Sequence, residues 1–192
     1  DRMRGVDATE TVIERGRRRN ADEGLADRIE FLHADVTAVD LPDATADFVW
    51  GEDAWCYVVD KSKLVGEAVR LVKPGGVVAF TDWLEGPTAM SGEEADRLLH
   101  FMKFPNIQDL DGYRTLLVAA GCDIEAADYT GRFASYCDLY IDMLSKQLTY
   151  DALKILGFDQ PTMEGLGGEM QFMRELAHAG KIEQGLFVAR RR

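Results

Sequence analysis

The feature that most constrains this chain is an alternation of two textures. Short apolar runs, each ending in an acidic or small residue, read as buried strands, and longer segments of helical period separate them. Strands are predicted at Arg4–Asp7, Arg28–Leu32, Ala46–Trp50, Val77–Thr81 and Cys122–Ala127, with helices over Thr9–Glu23, Asp60–Val72, Ser91–Phe101 and Leu110–Ala120. Ser135 to Gly180 reads as helix without strand, and Gln184–Arg190 as a last strand. This βαβα order predicts an α/β fold with a Rossmann-like, doubly wound, mostly parallel sheet. Residues 1–192 are expected to form a single domain, with 132–180 as a helical cap inserted before the last strand. The aromatic and Met residues of that stretch, among them Phe133, Tyr136, Tyr140, Met143, Tyr150 and Met173, read as helix-packing core rather than a ligand cage. Thr9 is a candidate N-cap, and Lys73-Pro74-Gly75-Gly76 a helix stop and turn.

Composition narrows the partners. The net charge is −12, and an acidic surface argues against both a nucleic-acid substrate and a polybasic membrane dock. Cys56, Cys122 and Cys137 are widely spaced with no Cys-x-x-Cys, so neither a disulfide framework nor a metal site is indicated. Free thiols in a reducing cytoplasm are the expectation. No apolar run reaches membrane-spanning length. The opening residues Asp1 to Asp7 read as the middle of a protein, so the chain is expected to be a fragment.

In an open α/β sheet, ligands sit beyond the carboxyl ends of the parallel strands. Here strand after strand ends in acid: Asp7, Asp35, the Glu52-Asp53 pair and Asp82. Asp7 can accept from both hydroxyls of a ribose, or serve as N-cap to the next helix. Asp35 can accept from an adenine amino group with Val36 on the ring, or be a turn residue. The segment Gly51-Glu52-Asp53-Ala54-Trp55-Cys56-Tyr57 puts acids and large aromatics directly after a buried strand. Aromatic faces and carboxylates together suit a cationic ligand such as a substituted ammonium or a sulfonium. The alternative is an amphipathic loop whose Trp and Tyr plug the sheet end.

The series Gly5-Val6-Asp7, Ala34-Asp35-Val36, Asp47-Phe48-Val49-Trp50 and Leu71-Val72-Lys73-Pro74-Gly75-Gly76 resembles that of the class I S-adenosylmethionine-dependent methyltransferases. Glu52-Asp53-Ala54-Trp55, Phe80-Thr81-Asp82 and Gln184-Gly185-Leu186-Phe187-Val188-Ala189-Arg190 look like the glycine, sarcosine and dimethylglycine N-methyltransferase branch, with phosphoethanolamine methyltransferases as cousins. The branch often has Gln at the Glu52 position and His at the Tyr57 position. The resemblance implies S-adenosyl-L-methionine as cofactor, with S-adenosyl-L-homocysteine as product. Asp7 would hold the ribose, Ala34, Asp35 and Val36 would flank adenine, and Gly51 and Glu52 would line the methionine side. Asp53, Trp55, Tyr57 and Trp83 would face a small-molecule acceptor. The family's first strand and Gly-x-Gly loop, central to its sheet, are absent from this sequence. The resemblance therefore implies that a missing N-terminal segment, or a second copy, completes the sheet.

Methyl transfer to an amine needs alignment and a neutral nucleophile, and Asp53 is the candidate to orient the acceptor or take its proton. Arg132 is the candidate for an acceptor carboxylate, or else an ordinary surface arginine. The rival readings are a phosphobase or oxygen acceptor on the same scaffold, and a degenerate, non-catalytic binding module.

Overall fold

The computed structural model describes residues 2–146, 151, 153–155 and 157–192. Its strands are β1 (Met3–Asp7), β2 (Ile29–His33), β3 (Ala46–Glu52), β4 (Val72–Glu85), β5 (Cys122–Tyr129) and β6 (Ile182–Arg191). Its helices are α1 (Glu10–Asp22), α2 (Lys61–Leu71), α3 (Gly92–Met102), α4 (Leu110–Ala119), α5 (Phe133–Ser145) and α6 (Gln160–His178), with a 3₁₀ turn at Trp55–Tyr57.

The strands form two sheets. β1 pairs with β2 in parallel, and the larger sheet has the order β3-β4-β6-β5. β3 and β4 are parallel, whereas β6 runs antiparallel between β4 and β5. The α/β, Rossmann-like class expected from the alternation is the one observed. Among the described residues β1 has β2 as its one sheet neighbour and β3 has β4, so each keeps an unpaired edge. Phe48 and Trp50, stacked at 6.3 Å on β3, are about half exposed, as is unusual for a parallel strand.

Two apolar clusters cover the larger sheet. On one side Val78, Phe80, Leu84 and Phe187 pack with Leu64, Val65 and Val69 of α2 and Tyr113 and Leu117 of α4. On the other, Leu98 of α3, Phe133 of α5 and Met173, Leu176 and Ala177 of α6 close around Ile182. Period-two alternation decides the sides: Phe80 and Leu84 face α2 and α4, while Trp83 packs with the α5–α6 cluster. The loop after β2 is tied to α2 through buried Glu67, which accepts from the Val39 amide at 2.6 Å and pairs with Arg70 at 2.7 Å. Arg70 in turn holds the carbonyl oxygens of Val39 and Leu41.

Several local expectations are corrected. β4 is far longer than Val77–Thr81, because β6 pairs with it as far as Glu85↔Ile182. Lys73-Pro74-Gly75-Gly76 lies within it, with Gly75 at φ 78°. Thr9 makes no side-chain cap to α1; Asp7 accepts from the Thr9 amide instead. Asp82 is not at a strand end but inside β4, fully buried. In the helical stretch, Phe133 and Met173 are core, whereas Tyr136, Tyr140 and Met143 are about half exposed. These lie with Leu139 at i, i+3, i+4, i+7 spacing, one stripe away from the face that packs on α6. Tyr150 lies outside the described residues.

Candidate functional site

At the end of β1, Asp7 Oδ1 accepts from the Thr9 amide at 2.7 Å, which starts α1 and leaves the second oxygen without a partner among the described residues. The Ala34 amide donates to the Asp7 carbonyl, so Asp7 and the Ala34-Asp35-Val36 turn leave adjacent strands together. Asp35 Oδ1 accepts from the Thr37 amide at 2.8 Å and hydroxyl at 2.9 Å. Those bonds hold its exposed carboxyl below the ordinary carboxylate range, with a small contribution from Lys63 at the start of α2. Val36 packs against the α2–α4 core. The turn geometry read for Asp35 is present, whereas the N-cap of α1 is Thr9 rather than Asp7; both carboxylates keep acceptor capacity.

At the end of β3, Glu52 is exposed, in register with Thr81. Asp53 follows at φ 47°, a left-handed conformation that Asp tolerates better than most residues. Its amide donates to the Thr81 carbonyl at 2.9 Å, and its carboxylate accepts from Gln184 Nε2 at 3.0 and 2.8 Å. Among the described residues it has no cationic partner.

Trp55 requires a correction. It is 7% exposed and stacks on Phe80 at 3.8 Å, with Tyr113 tilted at 6.2 Å, so it plugs the sheet end rather than facing open space. Gly51 makes room for it: a Cβ there would lie 2.2 Å from the indole nitrogen. Because Phe80 backs the ring, Gly51→Ala is expected to destabilise the fold by about 1–3 kcal/mol, read from denaturant unfolding.

Buried groups hold the 55–57 turn from two sides. Asp82 Oδ1 accepts from the Cys56 amide at 2.9 Å, and Oδ2 from the Tyr113 hydroxyl at 2.7 Å. Lys61 Nζ donates to the carbonyls of Cys56, Val58 and Asn106. Burial pushes the Asp82 carboxyl up, against these bonds, and likewise lowers the Lys61 ammonium. Tyr113→Phe leaves Oδ2 buried and unpaired and should cost about 1–3 kcal/mol. A raised carboxyl pKa in the folded state gives stability that is full below the ordinary carboxylate value and is lost as pH rises through the raised one. Denaturation of Asp82→Asn across pH should therefore show less loss of stability than wild type from about pH 4 upward.

Tyr57 is 53% exposed and meets Phe104 edge-on at 5.0 Å. Phe104 meets Trp83 at 5.5 Å, and Trp83 meets Phe133 at 4.7 Å. This aromatic series carries the strand-end turn across to α5. Arg132, just before Phe133, is exposed, and its side chain has no partner among the described residues. Tyr57 and Trp83 thus meet the same ring, Phe104, Trp83 is in register with the Gln184 that holds Asp53, and Trp55 lies in the core. Phe104 and Gln184 were missed. Phe104 follows a helix with no motif around it, and Gln184 carried a signal only as the first residue of the family-like last strand.

A cavity of about 540 Å³ lies elsewhere, along β1 and β2 between Arg4, Arg17 and Arg28. It is an open hollow beside the two-stranded sheet and contains none of the strand-end acids. Among the described residues no helix is long and apolar enough to cross a membrane.

A methyltransferase domain model matches residues 1–80. The chain is 36% identical over 118 residues to dimethylglycine N-methyltransferase from Parasynechococcus marenigrum, across 60% of this chain and 41% of that protein. It spans less than half the length of the curated relatives it matches. By structure it is similar to a Galdieria sulphuraria protein assigned as a sarcosine dimethylglycine methyltransferase, with TM-score 0.86 and 20% identity over 98% of this chain and 69% of that one. Phosphoethanolamine N-methyltransferase 2 of Haemonchus contortus, in complex with phosphomonomethylethanolamine and S-adenosylhomocysteine, gives 0.85 and 19% over 98% and 43%. The resemblance drawn from the sequence is borne out, and the fold is the Rossmann-like one of class I methyltransferases.

Proposed function

We propose, from the fold shared with class I methyltransferases, that the complete protein transfers a methyl group from S-adenosyl-L-methionine to a small amine, sarcosine or dimethylglycine. The observation that carries this is the Asp53 carboxylate, free of any cationic partner among the described residues and held by Gln184, whose register partner is Trp83. Carboxylate and aromatic faces together attract a small ammonium group. The cofactor supplies an electrophilic methyl group on a sulfonium. The residues present fit its adenosine half: Asp7 keeps a free oxygen for a ribose hydroxyl, and Ala34, Asp35 and Val36 offer an acceptor beside an apolar side chain. Gly51 and Glu52 would line the methionine side.

On the acceptor side, Asp53 holds the ammonium and takes its proton, leaving the nitrogen lone pair free for attack. Tyr57 and Trp83 would line the space around it, and Arg132, exposed and without a side-chain partner among the described residues, would meet the acceptor's carboxylate. Trp55 supports this loop from the core. A phosphobase acceptor is the second reading, favoured by the likeness to the phosphoethanolamine enzyme. The protein works in the cytoplasm, where Cys56, Cys122 and Cys137 stay free thiols.

The unpaired edges of β1 and β3, and the exposed Phe48–Trp50 pair, support a further part of the reading. A strand and helix from additional polypeptide, or from a second copy, fill the gap in the sheet and complete the cofactor site. Calorimetric titration of S-adenosylhomocysteine tests both parts, using the 192-residue chain and the same chain extended upstream. Binding only by the extended chain supports the reading. No binding by either, with both folded, overturns the cofactor assignment and promotes the scaffold alternative. Screening dimethylglycine against phosphoethanolamine then separates the acceptors.

A further inference from the structure

Asp53 is held in a way that the strand-end pattern does not require. Its backbone is left-handed, its amide is tied to Thr81 on β4, and its carboxylate is clamped through both oxygens by a residue 131 positions later. That residue, Gln184, is on β6, paired to β4 on one side and β5 on the other. It sits in register with Trp83, and its carbonyl accepts from the Thr130 amide at 2.8 Å. A strand-end carboxylate is thereby fixed by an interior strand of the sheet.

We infer that Gln184 is a positioning residue for the acceptor. Its amide, a neutral donor, orients the Asp53 carboxylate without neutralising it, so the charge remains available to an incoming ammonium. A lysine or arginine in its place would occupy that carboxylate; a hydrocarbon would leave it to swing. The partly buried Thr81, whose Oγ1 has no partner among the described residues, is bonded through its carbonyl to the Asp53 amide and does not hold the carboxylate. The inference rests on the reading above that Asp53 faces the acceptor amine.

The test uses the full-length polypeptide, with dimethylglycine as acceptor and S-adenosylhomocysteine affinity as a check on the fold. Gln184→Leu should raise KM for dimethylglycine by about 10-fold, the scale of a lost charge-assisted hydrogen bond, and leave S-adenosylhomocysteine affinity unchanged. Combined with Asp53→Asn it should add nothing, because the two act as one unit. Gln184→Glu, nearly the same shape, sets two carboxylates against each other and should shift KM in the same direction; it serves if the leucine variant does not fold. Unchanged KM in the folded Gln184 variants, or effects that add to those of Asp53→Asn, would overturn the inference while leaving the function intact. Wild-type behaviour of Asp53→Asn itself would overturn the acceptor-side reading, and the inference with it.

Discussion

Asp53→Asn is expected to lower kcat/KM for the amine acceptor by about 100-fold or more, the scale of a lost proton acceptor. Asparagine is the informative substitution because it also tolerates φ 47° and still accepts a hydrogen bond from Gln184. It removes the charge and the capacity to take a proton while keeping shape. Alanine would add the strain of a left-handed residue without a polar side chain and so mix stability with function. S-adenosylhomocysteine affinity should be unaffected, since Asp7 ends β1 and Asp35 lies in the turn after β2, both away from Asp53 in the chain. An Asp53→Asn protein that keeps half its activity would remove Asp53 from the acceptor side.

Phe80→Ala should be the most destabilising single truncation, at about 3–5 kcal/mol. Phe80 is fully buried and central to an aromatic stack: Trp55 at 3.8 Å, Phe187 at 4.6 Å and Tyr113 edge-on at 5.0 Å. Its removal opens a cavity that these rings cannot refill without leaving their other contacts. It also frees Trp55, which supports the acidic turn, so acceptor binding should fail along with stability. Denaturant midpoints followed by tryptophan fluorescence measure the cost. Val59→Ala, at a residue 73% exposed, should stay within about 0.5 kcal/mol and serves as the control.

The fold class was legible because buried parallel strands and amphipathic helices carry different periods, and local signals punctuate them. Asp60 caps α2 through the Lys63 amide, and Ser91 with Glu94 forms a capping box at α3, both on short-range hydrogen bonds. The long antiparallel extension of β4 was not legible, because β6 lies a hundred residues away and no local pattern encodes its register with β4. Asp82 was misread for the same reason. A carboxylate inside a strand is tolerable only when partners satisfy it, and those partners, Tyr113 and the Cys56 amide, come from other elements.

The sequence by itself determined the order of elements, the acids at the ends of β1, β2 and β3, and the acid–aromatic segment after β3. These follow from neighbours in the chain, where spacing is geometry. Tertiary structure alone decided what each of those residues can do. It stacked Trp55 on Phe80 and so removed it from the site, left Tyr57 exposed against Phe104, and joined Asp53 to Gln184. The physical reason is that a side chain's direction at a strand end depends on which face of the sheet is already filled, and those faces are filled by residues far along the chain.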